Sequence, residues 1–465
     1  MLLTAIILYL CITIAVGAWA SKLVKSSDDF VLAGRSLPLF LSSSALFATW
    51  FGSETIFGAS SVFLEEGLLG VVEDPFGGAL CLILFGMFYL RPMYKMGVLT
   101  IGDVFRKMFG RRVEFFATVF MVPIYFGYVA AQLVALSLIF GTVTDLSLNE
   151  GILISAGIVV IYTFLGGMWA VSITDFIQTT MIVIGLIVVS VMISREAGGA
   201  GEILSQAPEG TFRFYPEPTI NAWVNYLGAW IILGLGSIPS QDIYQRVMSS
   251  KSEKVAVQST YLAGGFYLTF GLLPLFIALG AKVLYPELYL ENKQMLLPSM
   301  VLAHGGIVVQ IIFFGALISA IMSTASSGLL APSALISENL VRPLFKGKLR
   351  DKTLLWILRI NVLLVALVAT YMASRDSNIY ELVAGASILL LVSLFAPLTA
   401  GLYWKKASRL GAILAMVIGM ITYLVCDELE FEIQSHIYGL LASIFAMILG
   451  SFLFPDKTPK PDELS

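Results

Sequence analysis

Charged residues are scarce in this sequence. Asp, Glu, Lys and Arg make up 13% of its 465 residues, whereas soluble proteins have roughly 25%. The hydrophobic share is 58%, and the mean hydropathy is +0.89. These values exclude an ordinary soluble protein and indicate a polytopic membrane protein in a lipid bilayer. The net charge of −3, with basic residues in short clusters between apolar runs, argues against a nucleic-acid partner.

Cysteine and histidine are also rare. The three cysteines, Cys11, Cys81 and Cys426, lie in separate apolar segments, which argues against a disulfide framework or a thiolate metal site. His304 and His436 lie at segment edges and form no ligand cluster. The sequence has no His-Glu-x-x-His or Gly-x-Ser-x-Gly string. We therefore expect neither an enzyme nor a bound cofactor.

Apolar segments long enough to cross a bilayer, about 20 residues each, recur along the whole chain. They predict an all-α integral membrane fold with thirteen transmembrane helices. The first segment lacks the basic start of a signal peptide and is too long for one, so we expect it to remain as a helix. The predicted spans are approximately 2–21, 38–62, 70–90, 115–143, 151–170, 172–194, 221–240, 256–281, 305–336, 356–374, 379–404, 410–426 and 437–454.

The basic residues predict the orientation, because cytoplasmic loops carry an excess of Lys and Arg. Of the 28 Lys and Arg residues, 22 fall in the loops after odd-numbered spans or in the C-terminal tail, and five fall in the loops after even-numbered spans. This asymmetry predicts a cell-membrane protein, in the plasma or bacterial inner membrane, with its N-terminus outside and its C-terminus in the cytoplasm.

Thirteen spans fit one transporter domain over residues 1–455, made of a leading helix, two groups of five helices and two trailing helices. We expect the leading helix at 2–21, the first repeat at 38–194, the second repeat at 221–404, the trailing helices at 410–454 and a cytoplasmic tail at 456–465. An odd number of crossings separates the starts of the repeats, so their topologies are inverted. In such transporters the binding site lies near the bilayer midplane, where the first helix of each repeat is broken.

Both expected breaks have suitable residues. Span 2 contains Ala-Thr-Trp-Phe-Gly-Ser-Glu at 48–54 and then Gly58, and span 7 contains Gly228, Gly234, Gly236 and Pro239. The alternative is that Gly and Pro are simply common in membrane helices. Their occurrence at matching positions, five spans apart, favours broken helices.

Polar residues inside the spans are candidates for function, because hydrocarbon penalises polar atoms without partners. Residues 319–328 of span 9 form the densest cluster, and helical spacing places its small and hydroxyl residues on one stripe. Hydroxyls together with carbonyls released by a broken helix would suit Na⁺. The alternative is that the hydroxyls bond back to their own helix. The stripe consists of Ala320, Ser323, Thr324 and Ser327, with Ser326 beside it.

Three acidic residues stand out. Asp175 at the start of span 6 is either a helix cap or the charge of a second cation site. Glu54, in the broken helix, is expected to pair with a cation, a proton or hydrogen-bond donors, and Asp74 either shares that pocket or is solvated. Five aromatic residues near the breaks are candidate cavity residues: Trp50, Tyr128, Trp223, Tyr226 and Trp230. Trp50 is favoured among them because it lies inside the unwound segment.

Several motifs together resemble the sodium:solute symporter family over spans 1–11. They are Ala33-Gly34-Arg35-Ser36-Leu37 before span 2, the Gly-Gly, Ala-Val, Thr-Asp and Gln string around Asp175, the Met-Ser-Thr and Ser-Ser string of span 9, and Gln245-Arg246 after span 7. The resemblance implies a sodium site formed by the carbonyl groups of Ala48, Phe51 and Ala320 and the hydroxyls of Ser323 and Thr324. It also implies, for some members, a second sodium site, here at Asp175, Ser323, Ser326 and Ser327.

Within that family, the strings in span 2 and after span 7 resemble the choline-transporter branch, in which an aromatic cage holds a quaternary ammonium group. Trp50 and Tyr128 fit such a cage. Ser240 stands where that branch has tryptophan, and Glu54 stands where it has glycine. The expected substrate-binding residues are Trp50, Glu54, Tyr128, Trp230 and Ser240.

We therefore expect a sodium-coupled symporter that imports a small organic solute, such as an amine, an amino acid or a choline-like molecule, by alternating access. A proton-coupled transporter, a channel and a sensor on the same fold are the alternatives. The expected coupling ion and only metal is Na⁺.

Overall fold

The computed structural model describes residues 1–291, 293–345, 349–375 and 379–456, and every regular element within them is helical. The predicted tail beyond Asp456, together with Lys346, Lys348, Lys457 and Lys460 of the charge pattern, lies outside the described residues. The α-helices are α1 Leu2–Ala20, α2 Ser27–Leu32, α3 Leu39–Trp50, α4 Ala59–Glu66, α5 Gly78–Leu84, α6 Leu90–Met96, α7 Ile101–Phe109, α8 Arg111–Met121, α9 Ile124–Val143, α10 Leu148–Glu196, α11 Ala200–Ser205, α12 Ile220–Gly236, α13 Gln241–Met248, α14 Glu253–Phe270, α15 Leu272–Leu284, α16 Pro286–Glu291, α17 Leu296–His304, α18 Ile307–Leu335, α19 Arg342–Leu344, α20 Asp351–Ala373, α21 Ile379–Leu390, α22 Ala396–Tyr403, α23 Arg409–Glu428 and α24 Ser435–Leu453.

Short helices of other pitch join several of these elements. Tight 3₁₀ turns occupy Ser21–Leu23, Ala33–Arg35 and Gly67–Leu69. Wider π-helical turns, which often occur at functional sites, occupy Glu54–Gly58, Val72–Gly77, Phe85–Tyr89, Ile336–Val341 and Leu391–Phe395. The first of these follows directly on the predicted break of span 2.

Ten helical stretches among the described residues are long and apolar enough to cross a membrane. The pair α12 and α13, bent by 47°, adds an eleventh if it counts as one span. Two shorter apolar helices, Leu39–Trp50 and Leu148–Ile161, overlap the predicted spans 2 and 5, which were expected at 38–62 and 151–170. The chain is thus a multi-pass membrane protein, and thirteen crossings stay a prediction.

Spans 5 and 6 both lie within α10, which runs from Leu148 to Glu196 and consists of two helices separated by a kink slightly before the predicted boundary at 170–172. At the kink Gly167 has φ 50° and ψ −146°. A Cβ atom there would lie 2.6 Å from atoms of Phe30 in α2. Only glycine combines a positive φ with so close an approach, so the kink is fixed by sequence.

Both predicted breaks are present. Helix α3 ends at Trp50, where Phe51 has φ −81° and ψ 74°, and the chain becomes helical again at Glu54. Helix α12 ends at Gly236, and α13 begins at Gln241 after Pro239. Carbonyl groups at such interruptions lose their helical partners and become available to side chains or ions.

Helix α18 forms the centre of the bundle. All its residues from Phe313 to Leu335 are buried, and it packs against α3, α9, α10 and α20. Small residues allow this packing: a Cβ atom at Gly185 would lie 2.6 Å from that of Ala316, and one at Gly328 would lie 2.6 Å from Val129. Close packing of small residues stabilises helices in lipid and holds the hydroxyl stripe rigidly beside the break in α3.

Candidate functional site

The two helix breaks meet at Asp242. This residue lies in the first turn of α13, and its carboxylate accepts a hydrogen bond from Trp50 Nε1 at 3.0 Å. The other carboxylate oxygen accepts one from the Tyr125 hydroxyl at 2.8 Å. That hydroxyl oxygen also accepts the backbone N–H of Gln241 at 2.8 Å. The network joins the end of α3, the start of α9 and the start of α13 through one buried acid.

A small cavity of about 50 Å³ lies beside this network. Its polar walls contain two carboxylates, Glu54 and Asp242, and three serines, while none of the described lining residues is basic. The Trp50 and Tyr267 rings meet edge to face with centroids 6.5 Å apart. The complete lining is Trp50, Glu54, Ile124, Tyr125, Tyr128, Leu233, Ser237, Ser240, Asp242, Tyr267, Val383, Ala386, Ser387 and Leu390.

Two tyrosines cap the carbonyl groups released at the end of α3. The Tyr128 hydroxyl donates to the carbonyl of Thr49 at 3.0 Å, and the Tyr267 hydroxyl lies 3.0 Å from the carbonyl of Trp50. Asp74 lies 2.7 Å from the Tyr267 hydroxyl and 2.8 Å from the Thr55 hydroxyl. Asp74 is buried and absent from the cavity lining, so it positions Tyr267 and is not a solvated boundary residue.

Glu54 has only neutral hydrogen-bond donors. Gln132 Nε2 donates to its carboxylate at 3.0 Å, and the Ser53 hydroxyl lies 3.5 Å from the same oxygen. No ion pair among the described residues includes Glu54. The buried carboxyl group therefore has no side-chain counter-ion among the described residues.

The residues predicted for sodium lie where α3 and α18 meet. Thr324 Oγ1 is 3.3 Å from the carbonyl oxygen of Ala48 and 3.1 Å from that of Ala320. Phe51 immediately follows α3, and the neighbouring Gly52 faces Thr324. Ser323 instead directs its hydroxyl to Asp175 at 2.5 Å.

The residues predicted for a second sodium site are also neighbours. The hydroxyls of Ser326 and Ser327 both donate to the carbonyl of Ser323, at 2.9 and 2.7 Å. The buried guanidinium of Arg246 donates to Ser327 and lies 3.7 Å from the other oxygen of Asp175. Asp175 is therefore no simple helix cap: it pairs with a buried cation, and Arg246 supplies positive charge where a second sodium ion was predicted.

Four of the five predicted substrate residues line the cavity: Trp50, Glu54, Tyr128 and Ser240. The Ser240 hydroxyl has no hydrogen-bond partner within the described part of the chain. The fifth, Trp230, is absent from the lining. Its ring packs against Phe76, Phe214 and Tyr226, with centroids 6.2, 6.2 and 6.4 Å away. Trp230 lies one helical turn before Leu233, which does line the cavity.

Sequence reasoning missed five residues of the site: Tyr125, Gln132, Asp242, Arg246 and Tyr267. Asp242 carried a usable signal, because an acid directly after a Gly-rich and Pro-containing helix break is a candidate for the binding site. The others are polar residues in apolar segments, and their contacts depend on the tertiary packing of α9, α13 and α14.

Solved structures share the overall fold of this chain. A Na⁺-coupled sialic acid symporter in a substrate-bound, outward-open state superimposes with a TM-score of 0.85 over 98% of this chain and 99% of that chain, at 19% identity. The hydantoin-bound, closed nucleobase-cation-symport transporter Mhp1 has a TM-score of 0.64 over 93% of this chain and 97% of that chain, at 16% identity. Both of those proteins are transporters, and this chain shares their overall helical fold.

The model of the sodium:solute symporter family matches residues 30–419, and the chain belongs to that family. The high-affinity choline transporter 1 of Drosophila melanogaster is 29% identical over 90% of this chain and 69% of its own length. The human high-affinity choline transporter 1 is 28% identical over 94% of this chain and 78% of its own length. The proline transporter PutP of Bacillus subtilis (strain 168) is 26% identical over 96% of each chain. The family and these relatives are transporters and not enzymes, and membership supports sodium-coupled symport.

Proposed function

We propose that this protein uses the sodium gradient to import a small organic amine by alternating access. One observation carries the choice of solute: the cavity between the two breaks has aromatic walls and two carboxylates, and none of its described lining residues is basic. A cationic ammonium group complements such a cavity through charge attraction and cation–π contact. The choline-transporter relatives are consistent with this class.

The amine would sit against Trp50, with Tyr128 and Ser240 on other walls and Glu54 at the start of the helical turn that follows the break. Asp242 is added as the principal counter-charge, because its carboxylate is held beside the Trp50 ring. Trp230 would meet the solute on the approach to the cavity and not within it.

The carboxylate of an amino acid has no basic partner among these lining residues. The proline-transporter relatives make a zwitterion the second candidate. A zwitterion would bring a third carboxylate next to Glu54 and Asp242, and like charges in a site with little water repel strongly. We therefore favour a solute whose net charge is positive.

The proposed sodium site comprises the carbonyl groups of Ala48, Phe51 and Ala320 with the hydroxyls of Ser323 and Thr324. The contacts of Thr324 with both helices support it. Sodium here would hold α3 against α18 and so favour the outward-facing state that accepts the amine. The coupling must be reciprocal, so bound amine also tightens sodium binding. Each charge moving inward gains about 2.3 kcal/mol per 100 mV of membrane potential.

A second sodium ion would bind at Asp175, Ser323, Ser326 and Ser327. Since the Arg246 guanidinium already lies beside Asp175, two positive charges would compete for one carboxylate. We propose that this site fills only when Arg246 withdraws from Asp175. Stoichiometry would then depend on the conformational state.

The proposed architecture keeps the thirteen crossings, with inverted repeats at 38–194 and 221–404, the leading helix at 2–21, the trailing helices at 410–454, an outside N-terminus and a cytoplasmic C-terminus. The ten apolar stretches, the bent pair α12 and α13 and the two shorter apolar helices support this count. The Trp50–Asp242 contact, which joins the first helix of one proposed repeat to that of the other, supports the pairing of the repeats.

Uptake into proteoliposomes tests the proposal. With an inward sodium gradient, radiolabelled choline should accumulate above its equilibrium level, while proline should not compete with it. Replacing sodium by potassium on both sides should abolish accumulation. Accumulation driven by a proton gradient without sodium would indicate a proton-coupled transporter, equilibration without accumulation would indicate a channel, and binding without uptake would indicate a sensor. Each of these outcomes contradicts sodium-coupled amine symport.

A further inference from the structure

A second and larger cavity lies beyond the cavity between the helix breaks, which we call the inner cavity. This outer cavity measures about 600 Å³, whereas the inner cavity measures about 50 Å³. Pockets that hold drug-sized ligands measure about 300–1,000 Å³. In this conformation the inner cavity must therefore widen before an organic amine can enter it, while the outer cavity already has room for one.

One side of α12 joins the two cavities. The helix begins at the predicted outer face of the membrane, and its residues in the outer cavity recur every three or four positions, as expected for one side of a helix. They are Ala222, Asn225, Tyr226, Ala229 and Ile232. The same side continues to Leu233, which lines the inner cavity. At 1.5 Å per residue, Tyr226 and Leu233 are about 10 Å apart along the helix, so the outer cavity lies on a direct path to the inner one.

The trailing helices α23 and α24 form one wall of the outer cavity. They contribute Asp427 and His436 to its lining. The loop between them is tied to α12, because Asn225 Nδ2 donates to the carbonyl of Glu432 at 2.9 Å and Asn225 Oδ1 accepts the backbone N–H of Gln434 at 3.0 Å. These contacts make the outer cavity a built feature of the fold, with walls from the second proposed repeat and from the helices that follow it.

The charge of the outer cavity favours a cation. Glu66, Glu73 and Asp427 line it, and none of its described lining residues is Lys or Arg. Neither Glu66 nor Asp427 takes part in an ion pair among the described residues. Tyr226 and Tyr423 add aromatic rings, which bind ammonium groups through cation–π contacts. A cleft lined by acids also raises the local concentration of cations.

His436 is a separate indication of a ligand. Its side chain lines the outer cavity and is 3% exposed. Its Nε2 atom has no hydrogen-bond partner within the described part of the chain, although buried polar atoms nearly always have one. A hydroxyl group on a bound amine would supply that partner.

We propose that the outer cavity binds an ammonium ion that carries a hydroxyl group, such as choline, before the ion reaches the inner cavity. The ammonium group would lie near Glu66 and Asp427 and against Tyr226 and Tyr423, and the hydroxyl group would face His436. The identity of the solute rests on the proposed function. The charge and size of the outer cavity do not depend on it.

Counting bound choline tests the site. The full chain in lipid nanodiscs is dialysed against radiolabelled choline over a wide concentration range, in sodium and in potassium at equal ionic strength. None of the residues proposed for sodium lines the outer cavity, so binding there should not need sodium. We expect two choline molecules per chain: one in a component that sodium strengthens, at the inner cavity, and one in a component that is the same in both salts, at the outer cavity.

Two variants assign the components. Glu66→Gln combined with Asp427→Asn removes two charges from the outer cavity and should weaken the sodium-independent component by about tenfold or more, leaving the other component unchanged. Asp242→Asn should do the reverse. The control combines Glu428→Gln with Glu430→Gln, which removes as many charges near the cavity from residues outside its lining and should leave both components unchanged. Thermal unfolding checks that each variant is folded.

A single choline molecule per chain in the unaltered protein, bound only in the sodium-strengthened component, would overturn the proposal. So would a sodium-independent component that survives Glu66→Gln with Asp427→Asn, or that falls equally in the control. The failure of the proposed function would differ from both results: the sodium-strengthened component would be missing while the sodium-independent one remained, which would leave the outer site standing.

Discussion

Replacing Asp242 by asparagine removes the negative charge that we place against the amine while keeping the shape of the side chain. Asp242 is buried, and its two carboxylate oxygens accept hydrogen bonds from Trp50 and Tyr125. Asparagine keeps one acceptor oxygen. Its NH₂ group meets a donor at the other position, so the substitution also weakens the contact between the two helix breaks.

The magnitude follows from the electrostatics of the cavity. At an effective dielectric constant of about 20, unit charges 4 Å apart attract by ~4 kcal/mol. Desolvation of the ammonium and the carboxylate offsets part of that attraction. We expect a net loss of about 2–3 kcal/mol, which is roughly a 30- to 150-fold weaker affinity, because 1.4 kcal/mol corresponds to a factor of ten.

The assay is equilibrium binding of radiolabelled choline to the purified protein in saturating sodium. A neutral analogue, in which carbon replaces the ammonium nitrogen, should bind the unaltered protein and the Asp242→Asn variant alike. The matched variant Ser240→Ala changes the same cavity without changing its charge, and choline affinity should fall by less than about fivefold, the scale of one neutral hydrogen bond. Equal losses for choline and the neutral analogue in Asp242→Asn would refute the charge argument.

Three further substitutions test other parts of the structure. Thr324→Val removes the hydroxyl that contacts the carbonyl of Ala48, so half-maximal uptake should need about tenfold more sodium; an unchanged sodium titration would exclude this residue as a ligand. Arg246→Gln leaves Asp175 buried without its cation, and losing one partner of a buried ion pair typically costs about 3–5 kcal/mol of stability. The thermal stability of this variant should fall in potassium and recover partly in sodium. An equal fall in both salts would argue against the second sodium site. Gly167→Ala introduces a side chain at φ 50° against another helix and should destabilise the protein by about 1–3 kcal/mol. The control Gly157→Ala, also in α10, has open space beside it and should leave the stability unchanged. A similar loss of stability in both variants would contradict the explanation of the kink.

The membrane class and both helix breaks were predictable from the sequence, because they depend on local composition. Long apolar runs identify spans, and the Gly and Pro residues at 234–239 mark an interruption whatever the surrounding helices do. The boundary between spans 5 and 6 was harder to predict. The sequence shows Gly166 and Gly167, but the position of the kink between the two helices depends on the contact of Gly167 with α2.

The site was predictable only in part. The hydroxyl stripe of α18 follows from helical spacing, and Thr324 does contact the end of α3. Asp242 comes just after the predicted end of span 7, where an acid resembles an ordinary helix cap. The 47° bend between α12 and α13 and the contact with Trp50 make it a cavity residue. Trp230 has the correct helical face but lies one turn away from the cavity.

The interaction of Arg246 with Asp175 could not be inferred from spacing either. The two residues lie far apart in sequence, on α13 and α10, and meet only because both helices pack on α18. Gln245-Arg246 is part of the family resemblance, but that motif assigns no role to the arginine and does not show where its guanidinium lies. Helical spacing therefore predicted the hydroxyl stripe of α18 but not the buried guanidinium beside Asp175.

The most direct test of the central claim is the affinity of the purified protein for a cationic amine, measured by calorimetry in sodium and again in potassium at equal ionic strength. If sodium at the break in α3 stabilises the amine-binding state, choline should bind at least about tenfold more tightly in sodium, a coupling of ~1.4 kcal/mol. The affinity for sodium should rise by the same factor when choline is present. Equal choline affinity in the two salts would contradict coupling between the sodium site and the cavity.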